Sequence, residues 1–127
     1  MLLFNFMAQH NDTGKAGEEQ AQEYLRSEGY IIRHVNWRVG KLELDIVAQK
    51  GNILVVVEVK TRTTDIFEYP EEAVTPRKIR NLVNAAHEYI VQYDWKGETR
   101  FDVISVVYTG ESYRIDHIQD AFLPPVR

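Results

Sequence analysis

The chain has 127 residues, 44% of them hydrophobic and 27% charged, which supplies apolar material for one core and leaves too little length for two. It has no cysteine, which excludes disulfide frameworks and thiolate zinc sites, and its four histidines (His10, His34, His87, His117) lack the spacing of metal ligands. A net charge of −4 argues against binding nucleic acid through bulk positive charge, and no run is long enough to span a membrane, so a cytoplasmic protein with no membrane partner is expected.

The opening MLLFNF is too short for a signal peptide and lacks its basic start and small-residue cleavage site. Met7 serves as a start as well as Met1 does. Residues 1–12 are therefore read as a flexible N-terminus, 13–123 as a single domain and 124–127, from Pro124-Pro125 on, as a tail. Asp12 or Thr13 is expected to cap a first helix that runs to about Glu28 and is closed by Gly29. Its apolar stripe is Ala21, Tyr24 and Leu25, and helical spacing puts Glu18 on that stripe. Glu18 is either a first-turn acid favoured by the helix dipole or a functional group aimed inward.

Tyr30 to Asn36 reads as a strand, Trp37 to Lys41 as a turn around Gly40, and Leu42 to Gln49 as a second strand. In the second strand Leu44, Ile46 and Ala48 share one face, while Glu43, Asp45 and Val47 share the other. Gly51-Asn52 then reads as a two-residue hairpin loop into ILVVVEVKTR, Ile53 to Arg62. So apolar a strand belongs inside a sheet, yet it sends Glu58 and Lys60 to a common face. Counting outward from the loop pairs Lys50 with Ile53, Val47 with Val56, Asp45 with Glu58 and Glu43 with Lys60, provided no bulge intervenes. Asp45 and Glu58 then lie roughly 5 Å apart at their Cβ atoms. Like charges in that position repel, and a divalent cation between them removes the objection.

Thr63 to Thr75 reads as an irregular connection. Thr75-Pro76 is a cap followed by proline at the first helical position, and the second helix runs to about Tyr93 with Ile79, Leu82, Val83, Ala86 and Ile90 buried. Phe101 to Tyr108 is a strand expected to lie parallel to the Ile53 strand, and Tyr113 to Ile118 a last short strand. The fold class is α/β with an αβββαβ core: a central mixed sheet flanked by helices, with an extra C-terminal strand.

Phosphodiester hydrolysis needs an activated water and charge stabilisation on the phosphate, and Mg²⁺ or Mn²⁺ held by carboxylates supplies both. Asp45 and Glu58 are the expected ligands, joined by the Val59 carbonyl and waters. Lys60 would orient or deprotonate the attacking water, or neutralise charge on the phosphate, and Glu18 would complete the site. Basic residues cluster at Arg33, His34, Arg38 and Lys41 and again at Arg77, Lys78 and Arg80; these, with Arg62, are phosphate contacts or a solvated surface. Glu43 is read as an ion-pair partner of Lys60 in preference to a second metal ligand. Asp102 is read as structural, and Trp37 as core rather than as a base-stacking platform.

The chain resembles the YraN-like family of predicted bacterial endonucleases, within the restriction-endonuclease-like PD-(D/E)XK superfamily and similar to archaeal Holliday-junction resolvases. The matching pieces are GKAGEEQA from Gly14, NWR from Asn36, ELDIVA from Glu43, VVVEVKTR from Val55, PEEAV from Pro70, RFDVISV from Arg100 and HIQDAF from His117. The resemblance implies a restriction-endonuclease-like fold with Glu18, Asp45, Glu58 and Lys60 as catalytic positions. It also implies a metal-dependent DNA endonuclease acting on branched, nicked or single-stranded DNA in recombination or repair, with a homodimer suited to cutting two strands. The alternative is a non-catalytic nucleic-acid-binding or assembly protein that keeps the nuclease fold.

Overall fold

Gly51-Asn52 folds the chain back on itself and fixes the register of everything beside it. Lys50 pairs with Ile53 and Val47 with Val56, as the loop length dictates, and no bulge interrupts the pairs between them. The computed structural model describes residues 2–63 and 74–122, with side chains from residue 14 onward. Within these residues the order is α1 (Leu2–Ser27), β1 (Ile31–Val39), β2 (Leu42–Lys50), β3 (Ile53–Thr63), α2 (Pro76–Tyr93), β4 (Glu98–Thr109) and β5 (Ser112–Ile118). The strands form one mixed sheet in the order β1-β2-β3-β4-β5, with β3 and β4 parallel and the other neighbours antiparallel.

Alternation along β3 feeds two apolar layers, so the strand is buried on both faces. Val55 and Val57 pack with Ala21 and Leu25 of α1, and Leu54 and Val56 pack with Leu82, Ala86 and Tyr89 of α2. The sheet is thus flanked by a helix on each side, as the strand and helix order implies.

Helix α2 starts where the Thr75-Pro76 signal puts it: the Thr75 hydroxyl accepts the Lys78 N–H at 3.2 Å, and the helix ends at Tyr93 on Asp94 in the left-handed region. Its buried stripe includes Tyr89, which the sequence pattern did not single out, and Ile79, Val83 and Ile90 are only partly buried. Helix α1 is longer than expected. It begins at Leu2, so Asp12 and Thr13 lie inside it and do not cap it; residues 2–13 hold no proline or glycine to stop a helix. Its end behaves as expected, with Gly29 at φ 89 letting the Tyr30 N–H reach back to the Leu25 carbonyl at 2.9 Å.

Strand β1 also outruns its expected end. Trp37, Arg38 and Val39 pair with Leu44, Glu43 and Leu42, and the turn contracts to Gly40-Lys41. Asn36 takes φ 52 within this strand, and the pairing with β2 keeps its register on either side of it. The alternation expected in β2 also breaks: Leu44 joins the cluster around Trp37 and Tyr89, while Ile46 packs in the α1 cluster. The connection expected over Thr63 to Thr75 lies, from 64 to 73, outside the described residues, as does the Pro124-Pro125 tail. No helix among the described residues is long and apolar enough to cross a membrane.

Candidate active site

The β2–β3 ladder stops at Ile46 and Val57, one step short of the expected Asp45–Glu58 pair. Beyond it the Asp45 side chain takes over the role of a ladder partner, its Oδ2 accepting the Val59 N–H at 2.9 Å. A carboxylate is thereby held where two strands part, beside the next residues of β3. The pairing expected between Glu43 and Lys60 does not form. Instead β1 stays alongside β2, so Glu43 faces its cross-strand neighbour Arg38, at 3.5 Å.

Glu58 and Lys60, two residues apart on β3, are joined at 3.7 Å between Oε1 and Nζ. Helix α2 adds a second cation: Lys78, in its first turn, places its Nζ 3.7 Å from the same Oε1. Glu58 is well enclosed, with 13% of its side chain exposed against 24% for Lys60 and 44% for Lys78. Glu18 enters from α1 half-buried, and its Oε2 accepts the Asn36 side-chain N–H at 3.4 Å. The approach of α1 depends on Gly17, since a Cβ there would collide with the Thr61 side chain at the end of β3.

Burial pushes the Asp45 carboxyl up to about 7, and the nearby charges of Glu58, Glu18 and Glu43 push the same way, against the Val59 hydrogen bond. Burial also lowers Lys60, helped by the neighbouring Lys78 and opposed by Glu58. The two carboxylates fit a hard divalent cation: they are oxygen donors on adjacent strands, and Asp45 is driven toward its protonated form by burial and then by its like-charged neighbours. Among the described residues no third carboxylate or imidazole converges with them to form a ligand triad. Further donors would have to be backbone, such as the Val59 carbonyl, or water.

The remaining basic candidates are dispersed. Arg38 is exposed and held by Glu43, Lys41 is exposed in the turn after β1, and Arg77 is exposed at the start of α2. Arg62 is buried, at 7% exposure, and so is not a solvated strand end. Trp37 is core, its indole N–H 3.3 Å from the Tyr93 hydroxyl.

For two residues that the sequence pattern singled out, it did not show the partners. Lys78 belongs with Glu58, and only the three-residue step from the Thr75 cap hinted that it lies in the first turn. Asp102 anchors a separate polar network on β4: Arg100 donates to both its oxygens at 2.9 Å, His117 Nε2 lies 2.7 Å from Oδ2 and the Asp120 N–H 3.2 Å from Oδ1. The network extends through Tyr24, whose hydroxyl is 2.8 Å from His117 Nδ1.

Residues 17–106 match the uncharacterised protein family UPF0102. A UPF0102 protein of Bacteroides thetaiotaomicron is 52% identical over 120 residues, covering 94% of this chain and 99% of its own. One from Flavobacterium psychrophilum is 48% identical over 116 residues (91% and 98%), and one from Porphyromonas gingivalis 51% identical over 118 residues (91% and 87%). The chain belongs to the UPF0102 family.

Proposed function

We propose that this member of the UPF0102 family is a divalent-cation-dependent endonuclease of the PD-(D/E)XK type, acting in the cytoplasm on branched, nicked or single-stranded DNA. One observation carries the reading: Asp45, Glu58 and Lys60 meet where β2 and β3 part, with Asp45 raised to about 7 by burial and by neighbouring carboxylates. Two carboxylates held together against their own repulsion are useful where a cation is to be bound.

Mg²⁺ or Mn²⁺ held by Asp45, Glu58 and the Val59 carbonyl would supply Lewis acidity and a more acidic bound water. The chain's own groups do the rest. Lys60, in the neutral amine form that its burial favours, orients the attacking water and accepts its proton at Nζ as the water oxygen bonds to phosphorus. The P–O ester bond on the far side breaks, and its oxygen takes up a proton from solvent. Lys78 offsets charge on the phosphate, and Glu18, steadied by Asn36, fixes the water or Lys60.

A second reading, a DNA-binding or assembly protein without catalysis, draws on one feature of the same site. Glu58 already has two lysines at 3.7 Å, so its charge is balanced without a metal. Incubation with branched, flapped, nicked and linear DNA in Mg²⁺ or Mn²⁺ separates the two. Cleavage is expected from the wild type and should fall to background in Asp45→Ala and Lys60→Ala. Cleavage that survives in both variants would assign the activity to a contaminant, and binding without cleavage on every substrate would favour the second reading.

A further inference from the structure

The two edges of the sheet are built differently. Edge strand β1 carries a register shift between Ile32 and His34 and a left-handed Asn36 in its middle, both of which disturb a flat pairing surface. Edge strand β5 has neither. All seven residues, Ser112 to Ile118, pair with β4 in unbroken register, and they include no proline or glycine. Among the described strands β5 has one neighbour only. Its side chains are Ser112, Tyr113 and Arg114, all exposed, followed by the half-buried Ile115 and Asp116.

The charges on this edge are self-complementary about its centre. Antiparallel pairing of β5 with a second β5 around Ile115 sets Arg114 of each copy opposite Asp116 of the other. The Arg114–Asp116 contact within one chain, 3.1 Å between Nη2 and Oδ2, then becomes a ring of four charges of alternating sign. The same register brings Tyr113, one of the few large apolar side chains exposed among the described residues, opposite His117.

We propose that β5 is an interface for a second copy of this chain, joining two five-stranded sheets into one continuous sheet around a two-fold axis at Ile115. This axis stands perpendicular to the sheet, so corresponding features of the two copies open on the same face. Glu58 lies level with Val103 and Ile118, three residues from the axis and two strands in from the edge. The two Glu58–Lys60 sites then lie on the order of 30 Å apart, from the strand spacing and the rise per residue. The interface stands on the edge alone; its use for two coordinated cuts rests on the nuclease reading.

Sedimentation equilibrium of the full chain tests this independently of activity. The wild type is expected to approach double the chain mass. Arg114→Glu sets glutamate opposite Asp116, and Asp116→Lys sets lysine opposite Arg114, so each variant alone should be monomeric. Mixed together they become complementary at every position, and the double mass should return as a heterodimer. Both side chains are partly exposed, and circular dichroism of each variant confirms that it folds. A monomeric wild type, variants that remain dimeric, or a mixture of folded variants that stays monomeric would each overturn the proposal. Dimerisation with no cleavage of any DNA would leave the interface standing and count against the nuclease reading.

Discussion

Asp45 and Asp102 are both carried on interior strands of one sheet, and their surroundings drive them in opposite directions. Asp102 is the more deeply buried, at 1% exposure, and burial by itself would raise its pKa; hydrogen bonds from His117 and Arg100 outweigh that and hold it below the usual carboxylate range. Asp45 keeps more exposure, yet it rises to about 7 because a single backbone N–H opposes burial and three nearby glutamates. Depth of burial therefore does not by itself decide which way a carboxylate's pKa moves. Whether the surrounding groups match its charge does.

The largest expected effect belongs to the matched aspartate. Asp102→Ala strands Arg100, with 15% of its side chain exposed, and His117, with 6%, around an empty position. A loss of about 3–5 kcal/mol in urea unfolding is expected, as when one partner of a buried ion pair is removed. A loss below about 1 kcal/mol would erase the contrast with Asp45. The pH signature agrees with this sign: a depressed carboxyl contributes stability that is complete above 3.8, its unfolded value, and is lost as the pH falls toward the folded value.

Asp45 should behave in the reverse sense. Its folded form keeps a proton up to about pH 7, whereas the unfolded chain releases it near 3.8. Between those values the folded state binds more protons, so stability falls as pH rises through the window and the loss is complete above it. Asp45→Asn lacks this response and still offers Val59 an acceptor oxygen. With a chelator at pH 8 the variant should be more stable than wild type by about 2–4 kcal/mol, and equal to it below pH 4. Saturating Mg²⁺ should reverse the order at pH 8 by stabilising the wild type alone. Thermal unfolding from pH 4 to 8 tests both arms; identical pH profiles would show that Asp45 is not strained by its neighbours.

The sequence made the scaffold legible because short-range rules controlled it. Gly51-Asn52 set the β2–β3 register, Thr75-Pro76 set the start of α2, and the αβββαβ order implied a parallel β3–β4 pair. The candidate site was legible only as far as those rules extend. The ladder ends one pair before Asp45 and Glu58, because a side chain replaced a backbone partner there, and no pairing count anticipates that. Glu43 pairs with Arg38 and not with Lys60 because β1 stays beside β2 through Val39, which puts Arg38 directly opposite Glu43. The Asp102 network joins residues from α1, β4 and β5, and no periodicity in one segment reports on contacts so distant in sequence.

The smallest effect distinguishes Lys78 from Lys60, which share one oxygen of Glu58. Lys78 is half-exposed, so Lys78→Gln should change stability by less than about 1 kcal/mol. Its electrostatic consequence falls on Lys60, whose ammonium is weakened by burial and then by the neighbouring Lys78. Removing that like charge leaves Lys60 with burial opposed by Glu58 and Asp45, and Lys60 should hold its proton to higher pH. If Lys60 accepts the proton of the attacking water, the rising limb of the pH–rate profile should move to higher pH in Lys78→Gln. Activity near pH 7 should then be lower than in the wild type. The limb should stay in place if Lys78 only contacts phosphate; activity would then fall uniformly across the profile and depend more weakly on salt. The shape of the profile therefore decides whether α2 supplies a second phosphate contact or sets the basicity of the lysine on β3.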